Sequence, residues 1–454
     1  MDNNKITQSL IKKLSGLAEF NDPINPDLYT KYDVKRGLRN ANGTGVLVGL
    51  TRIGDVVGYD ISESGEKVPV DGRLLYRGYD VVDLIKNAEK NDQFCFEQCA
   101  YLLLFGELPT QKELDSFRNL LGVCRTLPPS FTEDMIMKAP SSDIMNKIAR
   151  GVLASYSYDE NPEDRAVANV LRQCIELISR FSTLAAYAYQ AKLRYYDGKS
   201  MYIHNPVPEL STAENFLHLI RPDTQYSKLE ADILDLSLIL HAEHGGGNNS
   251  SLTVHVVSSA DTDTYSAIAA AVGSLKGRRH GGANIRVVEM MNEIKANVKD
   301  WSNEQEIRDY IYKIAKKEAF DRTGLVYGMG HAVYTISDPR AVLLRDKAEK
   351  LAKEKGCLEE FNLYKIIERV APEILAEVHK SGKRICANVD FYSGFVYSML
   401  NIPTELYTPI FAISRIAGWS AHRIEEIVAG GRIYRPAYKN VSEPRDYIPL
   451  DERK

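Results

Sequence analysis

The chain is poor in cysteine, has no long apolar run and carries no excess of positive charge. Six cysteines, Cys95, Cys99, Cys124, Cys174, Cys357 and Cys386, are spread through 454 residues. None forms a C-x-x-C pair, which excludes the usual spacing of a structural zinc site or a disulfide framework and predicts reduced thiols. No apolar stretch is long enough to cross a bilayer, so no membrane segment is expected. The net charge of −4 offers no general field for nucleic acid. Basic pairs such as Arg278-Arg279 and Lys316-Lys317 are too local for a duplex but could hold one phosphate. The first thirty residues lack arginine and an apolar signal core and contain Asp2, Glu19, Asp22 and Asp27, which argues against a transit peptide. A cytoplasmic protein is the expectation. Internal repeats, low-complexity segments and the alternating βα rhythm of a doubly wound sheet are also missing.

Helical periodicity fills most of the remainder. Ile6, Leu10, Ile11, Leu14 and Leu17 are spaced for a helix over 5–20, ended by Pro23 and Pro26. The strand signals lie in 46–77, where Val56-Val57-Gly58-Tyr59 and Leu74-Leu75-Tyr76-Arg77 flank a polar segment and predict short ribbons. After Gly78 helices are predicted at 81–85, 96–105, 112–125, 142–155, 164–194, 227–241, 250–257, 264–275, 283–296, 303–317, 341–354, 359–379, 391–400 and 408–429. The tail from Arg435 is polar, proline-bearing and expected to be extended. The fold class is therefore all-α with a short β-ribbon near the N-terminus.

Five clusters carry chemistry. The first, Gly324 to Arg340, places Gly328, Met329, Gly330 and His331 ahead of Asp338-Pro339-Arg340. Its Gly-x-Gly-x-x-Val resembles part of a dinucleotide fingerprint, but the βαβ setting that fingerprint needs is absent. The second is His241-Ala242-Glu243-His244-Gly245-Gly246-Gly247-Asn248. A zinc reading would take His241, His244 and His255, yet H-E-x-x-H is absent and no fourth ligand is spaced for it. A hydrogen-bonding role suits these histidines better. The third is Arg278-Arg279-His280-Gly281-Gly282-Ala283-Asn284 before a helix. The helix N-terminus and the two arginines should keep His280 neutral, able to donate one hydrogen bond to a carbonyl; a cap or core role is the alternative. In the fourth, Asn388 to Gly394, Asp390 reads most simply as an N-cap and otherwise as a base. The fifth comprises Arg340, Arg415 and Arg435, each an ion-pair candidate alone but together suited to a dicarboxylate.

Together and in this order, these clusters and Gly72-Arg73-Leu74-Leu75-Tyr76-Arg77-Gly78-Tyr79-Asp80 resemble the citrate synthase family, from about residue 40 to residue 440. The resemblance implies an all-helical fold with a large domain from 46–280 and 387–454, a small domain from 281–386 and an N-terminal arm over 1–45. It implies catalysis by His280, His331 and Asp390, with oxaloacetate held by His244, Arg340, Arg415 and Arg435, the last reaching the neighbouring subunit of a homodimer. Val326, Gly328, Met329 and Gly330 would cradle the adenine end of coenzyme A, a co-substrate; no metal or permanently bound cofactor is implied. The expected activity is condensation of acetyl-CoA with oxaloacetate; propionyl-CoA, as in 2-methylcitrate synthase, is the alternative, and a non-catalytic regulator a third. Ala332 and Thr335 stand where microbial relatives often have basic residues, and Arg279 where proline is usual. Arg278, Arg279, Lys316, Lys317, Arg322 and Lys383 are thus the candidates for the coenzyme's phosphates. About forty N-terminal residues match nothing in the family.

Overall fold

A computed structural model describes residues 3–40, 44–63, 66–380 and 384–453. It comprises two compact units, Met1–Leu50 and Thr51–Lys454. The first contains α1 (Asn3–Asn21) and α2 (Asp27–Lys31). The apolar spacing of α1 does form a helix, with Leu10, Ile11, Leu14 and Leu17 exposed.

The second unit opens with β1 (Gly54–Ile61), β2 (Lys67–Tyr76) and β3 (Tyr79–Asp80), an antiparallel sheet of order β1-β2-β3. Val56 pairs with Leu74, and the register shifts between Val57 and Tyr59. Helices follow: α3 (Val81–Lys90), α4 (Phe96–Phe105), α5 (Gln111–Val123), α6 (Ile144–Ser155), α7 (Val167–Tyr195) and α8 (Thr212–Ile220). Next come α9 (Lys228–His241), α10 (Asn249–Ser258), α11 (Thr264–Leu275), α12 (Ala283–Asn297) and α13 (Glu304–Ala315). The last are α14 (Pro339–Lys355), α15 (Leu358–His379), α16 (Val389–Met399) and α17 (Tyr407–Val428). Residues 432–449 form no regular helix or strand, and most are exposed.

Local chemistry explains where these helices start. Ser211 and Glu214 form a capping box on α8, and Ser227 and Glu230 form another on α9. Each such cap contributes about 1 kcal/mol. Helix α8 lay hidden in the sequence behind Pro206 and Pro208. Helix α7 runs unbroken for 29 residues, because its central turns are buried from Leu184 to Ala191.

Helix α17 is the centre of the unit: every residue from Tyr407 to Arg423 is buried. It packs on α4, α7, α9, α10 and α11. Phe411, Arg415, Trp419, His422 and Glu426 follow one another at intervals of three or four, so they share one face. A helix so deeply buried must find partners for such polar groups, or leave them poised for a ligand. Helices α12 and α14 pack against α16, and α13 packs against α15. Among the described residues, no helix is long and apolar enough to cross a membrane.

Candidate active site

The face of α17 meets three chain segments. Phe411 packs on the His241 ring, with centroids 4.5 Å apart, and on His280 at 6.1 Å. The Arg415 Nε–H donates to the His241 carbonyl at 2.6 Å, and the guanidinium lies 4.7 Å from the Phe411 ring centroid. Both terminal nitrogens of Arg415 are buried and have no hydrogen-bond partner. Burial lowers this guanidinium to about 10. A forked cation left open in this way is matched to a carboxylate. The sequence had cast each arginine, taken singly, as an ion-pair residue; for Arg415 the fork has no carboxylate partner among the described residues.

Arg340 is held differently. Asp338 caps α14 and grips Arg340 through Nε at 3.0 Å and Nη2 at 2.7 Å. Pro339 at the first helical position fixes the turn. The pair is almost wholly buried, and its geometry aims the remaining side of the guanidinium.

His331 lies between these arginines and a tyrosine. Its Nδ1 accepts backbone N–H bonds from Val333 at 3.0 Å and Tyr334 at 3.1 Å. Burial, then Arg340, lowers this histidine to about 4. A neutral ring with Nδ1 accepting carries its proton on Nε2, so that edge is a donor. Tyr334 stacks on it at 4.7 Å, and His244 meets it edge-on at 5.1 Å. His244 is held far below the usual histidine range by burial and then Arg340, and its Nε2 has no partner.

The loop carrying His331 rests on the ribbon. The Tyr334 hydroxyl donates to the Arg73 carbonyl at 3.2 Å, and the Gly72 N–H donates to Ser337 Oγ at 3.2 Å. A Cβ on Gly72 would lie 2.2 Å from the Ser337 carbonyl oxygen, so only glycine permits this approach. The other end of the loop is stitched to the lead-in of α16. Met329 bridges Ala387, Gly330 N–H donates to Cys386 at 2.8 Å, and Asn388 N–H donates to Gly328 at 2.8 Å. The Asn388 side chain adds a bond to the Gly330 carbonyl at 2.9 Å.

Asn388, not Asp390, caps α16: its Oδ1 accepts the Asp390 N–H at 3.0 Å. Asparagine and aspartate cap about equally well, and two positions apart either could serve. With the cap supplied by Asn388, the Asp390 carboxylate accepts no side-chain hydrogen bond among the described residues. Burial raises it to about 6, against the pull of Arg340. A carboxyl poised there can take a proton near neutral pH.

His280 stands before α12, half-buried, with Nε2 3.0 Å from Ser250 Oγ. Trp419 Nε1–H donates to that same oxygen at 3.0 Å. Burial and then Arg415 bring His280 to about 4. The expected neutrality is present, but the causes are burial and Arg415, not Arg278 and Arg279, which are exposed.

The structure thus gathers His244, His280, His331, Arg340, Arg415 and Asp390: both arginines act on His244 and Asp390, Arg415 on His280 and Arg340 on His331. Arg435 lies outside the group, exposed on the C-terminal tail. Val326 and Gly328 are buried, and Met329 and Gly330 are half-buried. Lys316, Lys317 and Arg322 are exposed, and Lys383 falls outside the described residues. His241, His244 and His255 do not form a metal-ligand group among the described residues: the first two turn to the arginines, and His255 turns to α17. Sequence reasoning missed Ser250, Tyr334, Asp338, Asn388 and Trp419. Asn-Val-Asp and Asp-Pro-Arg carry cap signals, Tyr334 acts locally on His331, and Ser250 and Trp419 act only through tertiary contacts.

Comparison with known proteins places this arrangement. The family model described as "Citrate synthase, C-terminal domain" matches residues 42–437. The citrate synthase of Haloferax volcanii is 34% identical over 390 residues, covering 84% of this chain and 93% of that protein. The 2-methylcitrate synthase of Shewanella oneidensis is also 34% identical over 390 residues, covering 84% and 92%. A ternary complex of carboxymethyl coenzyme A and oxaloacetate with the Thermoplasma acidophilum citrate synthase superposes with a TM-score of 0.73 at 27% identity, covering 92% of this chain and 99% of that one. The Pyrobaculum aerophilum citrate synthase gives 0.74 at 29%, covering 91% and 95%. With the match running nearly the length of both chains, and the histidines, arginines and aspartate gathered from several elements into one site, this chain belongs to the citrate synthase family.

Proposed function

We propose that the chain condenses acetyl-CoA with oxaloacetate and hydrolyses the resulting thioester to citrate and free coenzyme A. The observation that carries this reading is the buried Arg415 fork with two unpartnered nitrogens. It awaits a carboxylate beside a carboxyl base held near 6.

In this reading Arg415, Arg340 and His244 hold the dicarboxylate, joined by Arg435 of the partner subunit in a homodimer. Asp390 removes a proton from the acyl methyl carbon. His280 donates to the thioester oxygen as negative charge develops there. Ser250 sets its tautomer: with the hydroxyl donating to Nε2, the ring proton sits on Nδ1, facing the thioester. The enol carbon bonds to the keto carbon, and His331 Nε2–H supplies the proton to the new alkoxide. Water then adds to the thioester carbonyl, and the thiol leaves. The loop from Val326 to Gly330 takes the adenine end of the coenzyme, and Arg278, Arg279, Lys316, Lys317, Arg322 or Lys383 the phosphates. Residues 281–386 would act as a small lobe against 46–280 and 387–454. The reaction suits a cytoplasmic enzyme of the tricarboxylic acid cycle.

Propionyl-CoA is the second reading, favoured by the equal identity to the Shewanella oneidensis enzyme. One methyl group is worth only about 1–3 kcal/mol in such a pocket. Release of free thiol from acetyl-CoA and from propionyl-CoA, each with oxaloacetate, separates them. Faster release from propionyl-CoA selects the second reading, and release from neither rejects both. A non-catalytic binder would have no use for a carboxyl base tuned as Asp390 is.

A further inference from the structure

Towards its C-terminal end, α17 carries a second constellation. His255 of α10 and His422 of α17 face each other, Nε2 and Nδ1 hydrogen-bonded at 3.0 Å through a proton that a metal ion would replace. A Glu425 oxygen lies 3.6 Å from that His422 nitrogen. All three ligand atoms fall within 4.8 Å of one another. We propose that His255, His422 and Glu425 bind a divalent cation of the zinc class, as a site distinct from the one that takes the substrates.

Geometry, buttressing and an orphaned atom support this. Donors about 2.0–2.1 Å from a tetrahedral zinc ion stand about 3.3–3.4 Å from each other, and the two separations above bracket that value. The far nitrogen of each imidazole is gripped by a carboxylate: His255 Nδ1 lies 2.7 Å from Glu426 Oε2, and His422 Nε2 lies 3.1 Å from Glu243 Oε1. Carboxylates in this position fix the tautomer and raise the basicity of metal-binding histidines. One Glu425 oxygen is occupied by the Arg52 N–H at 2.7 Å. The other, Oε2, is buried with no hydrogen-bond partner, and it is the one aimed at His422. Two imidazoles and one carboxylate leave a fourth position for water, a donor set suited to zinc over magnesium or calcium. The Glu425 and Glu426 side chains keep 16% and 12% of their surface exposed, which gives the ion an entry at that rim. Bound there, the ion would staple α10 to α17 and steady Glu243, the residue before His244.

The full-length protein, stripped with a chelator, is titrated with zinc chloride and its metal content measured after dialysis. One ion per chain is expected, and cobalt in its place should give the visible spectrum of a tetrahedral centre. His255→Ala and Glu425→Gln should each abolish retention, and Glu426→Gln should weaken it by about 10–100-fold. Circular dichroism checks folding; should His255→Ala not fold, Glu425→Gln at the rim decides. No retained zinc overturns the proposal, as does retention unchanged in the folded ligand variants.

Discussion

Replacing Arg415 should remove substrate affinity without removing the fold. Its Nε is bonded, but its two terminal nitrogens face no acceptor in a buried site. Each would make a charge-assisted bond to a carboxylate, worth about 1.5–3 kcal/mol. Lysine keeps the charge but cannot fork, so Arg415→Lys should lose about one such bond and raise KM for oxaloacetate by about 10–150-fold. Arg415→Gln loses the charge as well, and at least about 100-fold is expected. Stability follows another logic. The open fork is a desolvated cation whose burial already costs the unliganded protein, so removing it relieves about as much as the lost Nε bond provided. The melting temperature without ligand should therefore change by only a few degrees. The ligand's own stabilisation is the sensitive readout. At a hundred times Kd, oxaloacetate adds about 2.7 kcal/mol. Weakened 100-fold, the same concentration adds only about 0.4 kcal/mol. Thermal shift with and without oxaloacetate, beside initial-rate kinetics, measures both. A variant that unfolds without ligand, or one whose KM stays at the wild-type value, would refute the reasoning.

Asp390→Asn should keep oxaloacetate binding and lower kcat by about 10²–10⁴-fold, checked by thiol release and by thermal shift with oxaloacetate. In the wild type the base works only when ionised, so kcat/KM should fall as the pH drops through about 6; His280 and His331, at about 4, stay neutral across that limb. An acid limb near 4, or none, would assign the base elsewhere. Ser250→Ala removes the hydroxyl beside His280 Nε2 and should lower kcat about tenfold with little effect on oxaloacetate binding, since about 1.4 kcal/mol of orientation is lost; an unchanged kcat would separate Ser250 from the tautomer. Gly328→Ala forces a side chain onto φ +82 and into Phe391, with its Cβ 2.8 Å from that ring. Denaturant unfolding should show a loss of about 1–3 kcal/mol, together with lower kcat.

Most helices were legible because their apolar spacing survives burial: Leu229, Ile233, Leu236 and Leu240 mark α9 on sequence alone. Helix α8 was not, since two prolines spoke louder than the Ser211–Glu214 box. Candidate site residues were legible where they sat in a short stretch, as with His331 after its glycines or Arg340 after Asp338-Pro339. Their chemistry was ambiguous at Asn388 and Asp390, where two equally good caps lie two residues apart. It was invisible where it depends on helices distant in sequence. That Arg415 lacks a carboxylate partner, and that Trp419 shares an acceptor with His280, cannot be read from the residues beside them. Nor does any local pattern join His255 to His422.

The stitch between Gly330 and Cys386 has a topological consequence. The chain leaves the site at Gly330, runs out through α14 and α15, and returns at Cys386 to a hydrogen bond with the residue it left. The excursion is a closed loop pinned at its neck. A change in length at its far turn, around Gly356 between the two helices, alters no spacing among His331, Asn388 and Asp390. Insertions at that far turn should therefore be tolerated where a single added residue at the neck would not be.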